Sequence, residues 1–451
     1  MATHPRRTIR ILLTAAVLVA GIFLACNRTI FVMEIIYPMF MWTVASMVII
    51  LFSLRPRLED VVVVACLTLL HAAVAFLFFY LPYHNVNWLA FAGFSSFWVL
   101  CIRTIWEKGA ERKWLVYATV SAVLLLTVES IAATAMLYNE KLQPKTLDLF
   151  LYSFDGSLGT QISFLMGRAF EKWPLFQSVS MMFYHALPVA MTLICARHIA
   201  VRTDKVRSVI VTIVATGPIG VVFYNLFPAM GPGIVPQLGF PFQVLTRAQT
   251  MHLAVVEIAA PGPRNAMPSL HMAWVLLIWW YSRGLSWWTR GIALLFVVFT
   301  VTSTMGSGQH YFADLVVGLP FALFLEALCS FHLAWPDRRR MHALACGLGV
   351  TLTWLVLLRF ATPLFWASPI VPWSLIAATI LLSGIYERRL ASPNYSSAIS
   401  DAEFGVDGRY GGDGRAKDGA CVRADDRRHI DAGRGASRQD GAEAEAETIR
   451  R

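Results

Sequence analysis

The sequence predicts an all-α, polytopic membrane protein of about twelve spanning helices, and three observations carry that expectation. Of 451 residues, 57% are hydrophobic and only 15% charged, too little polar material to coat one soluble domain of that length. Long apolar runs recur, each near the roughly 20 residues a helix needs to cross a bilayer, where barrel strands would give short alternating segments. Lysine and arginine concentrate in alternate breaks between those runs, as a topology signal does.

The runs fall at about 11–26, 30–54, 61–81, 87–106, 114–137, 176–199, 208–227, 268–283, 290–305, 311–333, 342–360 and 369–387. Arg6, Arg7 and Arg10 precede the first, which reads as an uncleaved span because further spans follow directly. With the N-terminus inside, the inner loops hold Arg55 and Arg57; Arg103, Lys108, Arg112 and Lys113; Arg197, Arg202, Lys205 and Arg207; Arg283 and Arg290; and Arg338, Arg339 and Arg340. The short outer loops near Pro82 and Gly306 hold none. The net charge of +10 is thus dispersed, which argues against a nucleic-acid partner. The cysteines are scattered through apolar runs without a C-x-x-C pair and read as core packing. From 391 to 451 the chain is rich in Gly, Ala, Asp, Arg and Glu, the composition of a disordered cytoplasmic tail.

Two stretches concentrate the polar chemistry: 264–271, ending Pro268-Ser269-Leu270-His271, and 307–314, Ser307-Gly308-Gln309-His310-Tyr311-Phe312-Ala313-Asp314. Each opens an apolar run, on the same, extracytoplasmic side in this topology. His310 and Asp314 are four apart at a helix start and share a face. A carboxylate there can take the proton of one imidazole nitrogen and leave the other as nucleophile or base. His271 holds the matching position on another helix. Two histidines and a carboxylate suit phosphoryl transfer, one histidine attacking phosphorus and the other protonating the departing oxygen. The phosphate oxygens need donors, for which Arg264, Ser269, Ser307, Gly308 and the free amides at both helix starts are candidates. The loop from 228 to 267 is too long and too rich in Pro and Gly for a plain connector and would cap the site. Asp155 and Arg168, in the long loop before 176, read as solvated or as headgroup contacts, His71 and His185 as packed core histidines, and 184–188 as a kink toward the site. Glu129 and Glu326, inside apolar runs, read as buried or paired.

These residues carry a resemblance. Pro268-Ser269-Leu270-His271, followed by Gly308-Gln309-His310-Tyr311-Phe312-Ala313-Asp314, resembles the second and third signature motifs of the type 2 phosphatidic acid phosphatase superfamily. Leu270 and the His-Tyr-x-x-Asp ending are similar to its inositol phosphorylceramide synthase-like branch, as is the stretch from Tyr224 to Pro232. The similarity spans about 114–335 and implies a six-helix lipid-phosphatase-like core there, with a four-helix membrane region at 1–113 ahead of it and two further membrane helices at 336–390. It implies His310 as the nucleophile, Asp314 orienting it, His271 as acid and then base, a membrane lipid as substrate, and no cofactor or metal. The chain departs from the phosphatases in lacking Lys-x6-Arg-Pro and in carrying Ser303-Thr304 where they have Ser-Arg. Arg264 is the proposed replacement cation, with Arg247 a further candidate, and Tyr224 is a further possible substrate-site residue. The expectation is an integral, multi-pass enzyme of the cell's inner or plasma membrane that cleaves or transfers a phospho-headgroup outside the cytoplasm. The alternatives are a lipid phosphate phosphatase and, in another class, a twelve-helix transporter, whose site belongs near mid-membrane on interrupted helices. A metal held by His271, His310 and Asp314 is a third reading.

Overall fold

The computed structural model describes residues 38–74 and 85–392. The expected span at 11–26, the loop at Pro82, the tail from 393 onward and the side chain of Glu129 lie outside the described residues. In chain order the first helices are α1 (Pro38–Ser53), α2 (Leu58–Val74), α3 (Asn85–Trp106) and α4 (Glu111–Leu142). Then come β1 (Lys145–Thr146), α5 (Asp148–Ser157), α6 (Ile162–Lys172), α7 (Pro174–His185), α8 (Leu187–Val201), α9 (Val206–Leu226), α10 (Arg247–Met251) and β2 (Ile258–Ala259). The remainder are α11 (Leu270–Tyr281), α12 (Trp287–Gly306), α13 (Phe312–Leu328), α14 (Arg338–Phe360), α15 (Thr362–Ala367) and α16 (Ile370–Ala391).

Among the described residues, five helices are long and apolar enough to cross a bilayer: Trp88–Trp106 within α3, α9, α12, α14 and α16. There are six if α7 and α8 count as one span bent by 47°. The expected run at 176–199 is that bent pair, broken at Ala186 where Pro188 prevents α7 from continuing. The run at 268–283 forms only the 12-residue α11. At 1.5 Å per residue it reaches about 18 Å, short of a hydrocarbon layer of about 30 Å. Its apolarity has another cause: α11 is packed on several sides by α9, α12 and α13 and is a core helix. The stretch between α4 and α7, expected as a loop, folds into α5 and α6.

Packing places α11 and α13 side by side at the centre. Helices α14 and α16 cover the outer flank of α13, and Gly347 lets α14 meet α13 so closely that a Cβ there would lie 2.4 Å from the Phe324 nitrogen. Helices α5 and α6 cross the end of the bundle where α13 begins. β1 and β2 pair antiparallel, Lys145 opposite Ala259 and Thr146 opposite Ile258, tying the far part of the 228–267 loop to the end of α4. The near part rests on the motif loop: Gly233 donates its N–H to the Gly308 carbonyl at 2.8 Å. Gly231, at φ +97°, approaches so near that a Cβ would lie 2.2 Å from the Gln309 oxygen, so only glycine fits.

Candidate active site

Both motifs are helix starts before they are chemistry. Ser269 has extended backbone and its Oγ accepts the Met272 N–H, the usual N-cap arrangement, so α11 begins at Leu270 and His271 stands in its first turn. Asp314 accepts the Tyr311 N–H at 2.8 Å and fixes the entry to α13. The two starts are joined by the Ser269 N–H donating to the Asp314 carbonyl at 3.1 Å.

On that frame the backbone of His310 is held on both sides. Its N–H donates to the Thr304 carbonyl and its own carbonyl accepts the Ser163 hydroxyl at 2.9 Å. Nδ1 faces Asp314 Oδ2 at 3.4 Å, and Nε2 lies 3.2 Å from Ser269 Oγ. The His271 ring sits 5.9 Å from that of His310, stacked on Tyr184 at 4.4 Å with the Trp274 edge at 6.0 Å. His310 is 2% exposed, Ser269 and Asp314 are fully buried, and His271 alone keeps partial access. The arrangement can hold one imidazole nitrogen against a carboxylate and present the other to a substrate, with a second imidazole close enough to touch the same phosphate.

Sequence reasoning missed the residues that build this frame. Asp155, expected as a solvated loop or headgroup contact, is fully buried and accepts the N–H groups of Phe312 at 2.8 Å and Ala313 at 3.1 Å, capping α13 with both oxygens. Seven residues earlier on the same face of α5, Asp148 accepts the N–H groups of Met230 and Gly231 and the Thr146 hydroxyl, and faces the Tyr311 hydroxyl. Burial pushes the Asp155 carboxyl up to about 8 and that of Asp148 up to about 7, against the pull of the amides each accepts. The only signal in the sequence is two acids seven apart, which becomes informative once that stretch is helical. Asp155→Ala strands two buried amides and should cost roughly 2–4 kcal/mol. Thermal unfolding in detergent should register the loss, and turnover of the variant should fall with it because the His310 loop loses its support.

Most of the candidate phosphate-holding residues are engaged with other parts of the chain. Arg264 is fully buried with all five N–H groups engaged: Nε on the Gln143 carbonyl at 2.9 Å, Nη1 on the Gly262 carbonyl and Met230 Sδ, and Nη2 on the Pro144 and Ala260 carbonyls. It clamps the 228–267 loop to the end of α4 and has no donor left for a phosphate. Ser307 spends its hydroxyl on the Ser303 carbonyl, and Gly308 is packed backbone to backbone against Gly233. Arg247 is exposed on α10 and lies over the Trp366 ring at 5.5 Å, and Trp366 itself is bonded to Ser153 on the face of α5 opposite Asp155. Tyr224 is buried with its hydroxyl on the Leu270 amide. The amides at the start of α13 are not free either, since Tyr311, Phe312, Ala313 and Asp314 all have acceptors. Among the described residues, no lysine or arginine is hydrogen-bonded to His271, His310 or Asp314, and no cluster of three or more His, Cys, Asp or Glu could hold a metal ion.

Of the remaining residues set out above, Arg168 reaches the Pro241 carbonyl. His71 contacts Ser95, and His185 is half-buried next to Tyr184 at the break between α7 and α8. Glu326 is buried toward the other end of α13, in the field of the Arg283–Glu387 pair.

Residues 149–328 match the family model described as the PAP2 superfamily. The match starts at the second residue of α5 and ends with α13, narrower than the 114–335 expected, and contains His271, His310 and Asp314. It supports a phosphatase-type enzyme acting on phosphorylated substrates and gives no support to a transporter. No curated protein and no solved structure matches the chain.

Proposed function

We propose that this membrane protein cleaves or transfers a phosphodiester-linked lipid headgroup through a phosphohistidine at His310, in the manner of the inositol phosphorylceramide synthase-like branch. The observation that supports this most is the approach of His310 to Asp314 and Ser269 with the His271 ring 5.9 Å away. Asp314 holds Nδ1, and Nε2 forms the bond to phosphorus as the bond to the departing oxygen breaks. His271 gives that oxygen its proton. It then takes the proton of the acceptor hydroxyl, whose oxygen attacks the phosphohistidine and frees Nε2.

The charge balance favours a diester over a monoester. Asp148, Asp155 and Asp314 are all fully buried around the motif loop, and Arg264 is spent on carbonyls. A phosphomonoester dianion would bring two negative charges to a site where Arg264 has no donor to offer, while a diester brings a single one. The near-sealing of His310 favours a lipid hydroxyl over bulk water as acceptor, and the loop charges favour an extracytoplasmic site within a core of 114–335.

The test incubates purified protein in detergent with headgroup-labelled and phosphate-labelled lipids, with and without ceramide or diacylglycerol. Movement of the labelled headgroup to an added acceptor lipid is expected. Release of free phosphate alone would convert the reading to a phosphatase, and turnover of none of the lipids would end it.

A further inference from the structure

A second feature lies at the same end of the bundle, on the other side of α5. A cavity of about 410 Å³ is lined by Gln143, Lys145, Asn225, Leu226, Val356 and Arg359 among others. Beside it a cavity of about 570 Å³ is lined by Phe150, Met251, Trp366 and their neighbours, and the two share Arg359 and Phe360. Arg359, in the last turn of α14, donates to Glu257, and its guanidinium lies over the Phe150 ring at 4.7 Å. Its Nη1 is shut off from solvent and has no hydrogen-bond partner among the described residues. Lys145 Nζ is 3.8 Å from the other Glu257 oxygen. Two cations therefore face one carboxylate, and the group is open to water. Next to them Leu226, Leu352, Val356 and Phe360, on the ends of α9 and α14, are exposed in a continuous apolar strip, although both helices are candidate spans.

We propose that Arg359 and Lys145 bind the phosphodiester of a phospholipid of net negative charge at this groove, displacing Glu257, with an acyl chain lying along Leu226, Leu352 and Val356. The site is distinct from the one at His310. Charge and shape select this occupant. Two cations released from one carboxylate match an anionic headgroup, and the apolar strip gives a chain the cover that free phosphate does not need. The lipid would rest on Phe150, on the helix whose opposite face carries the Asp155 cap. The proposal stands on the membrane placement of α9 and α14 and not on the reaction at His310, so a binding measurement tests it separately.

The experiment is a native mass-spectrometric titration of the full chain in detergent, in a His310→Ala background so that no lipid is consumed. The probes are phosphatidylglycerol, phosphatidylcholine and inorganic phosphate. Phosphatidylglycerol should be retained over both others. Arg359→Gln should weaken its binding about tenfold, the loss of one charge-assisted bond. Arg359→Lys should restore part of it, and Glu257→Gln should strengthen it by removing the competing carboxylate. A purely structural Arg359–Glu257 pair predicts the reverse for Glu257→Gln: equal or weaker binding there overturns the proposal. So does unchanged binding in Arg359→Gln, or equal retention of phosphatidylcholine.

Discussion

His310→Ala is expected to lower turnover of labelled lipid by about 10⁴-fold or more, because it removes the atom that forms the covalent intermediate. Asp314→Asn should cost about 10³–10⁴-fold, since an amide still fills the space but no longer holds the Nδ1 proton in place. His271→Ala should cost about 10²–10⁴-fold, the usual worth of a positioned acid and base. The three variants separate by what they accumulate. Wild-type protein quenched in alkali after brief exposure to phosphate-labelled lipid should carry label on the polypeptide, and His310→Ala should carry none. Label retained in His310→Ala at the wild-type level would remove His310 from the reaction whatever the rates. Because His310 is sealed and its backbone is held by Thr304 and Ser163, its loss should leave the fold intact, so a circular dichroism melt close to wild type is part of the expected result.

Arg264→Met should destabilise the protein by roughly 3–5 kcal/mol, as losing one member of a saturated buried charged network does. Four carbonyls, from Gln143, Pro144, Ala260 and Gly262, would lose their donor, that of Ala260 in a fully buried hydrogen bond. Arg264→Lys should recover little of this, because one ammonium cannot span the acceptors that a planar five-donor group reaches. A phosphate-binding arginine would behave otherwise, with normal melting and a raised KM for the lysine variant. Paired melting and KM measurements on the two variants decide between these roles, and a normal melt for Arg264→Met would reject the clamp.

The motifs were legible because their residues answer two demands at once. Pro268 and Ser269 signal a helix start, and His271 stands in an apolar run where a polar group needs a reason. His310 and Asp314 are four apart, so local geometry alone joins them. What stayed hidden depends on distant chain. Nothing near Arg264 in the sequence says that its acceptors include Gln143 and Pro144, and an arginine before a motif reads as a phosphate ligand until they are seen. Asp155 looked solvated because α5 is a short helix in a stretch that hydropathy leaves as loop. Hydropathy also cannot tell a helix wrapped in protein from one wrapped in lipid, which is why the apolar run holding α11 reads as a span.

The frame around His310 is assembled from contacts far apart along the chain. Ser163 reaches it across 147 residues, Asp155 reaches Phe312 across 157, Asp148 reaches Met230 across 82, and Arg264 reaches Gln143 across 121. Each closes a large loop whose entropy must be met before the contact returns anything, whereas the helices complete most of their hydrogen bonds within a few residues. Secondary structure and catalytic geometry are thus separable in the order of folding. The helices can form as the chain enters the bilayer, and the site becomes competent only when the last of these distant carboxylates and the buried guanidinium are seated.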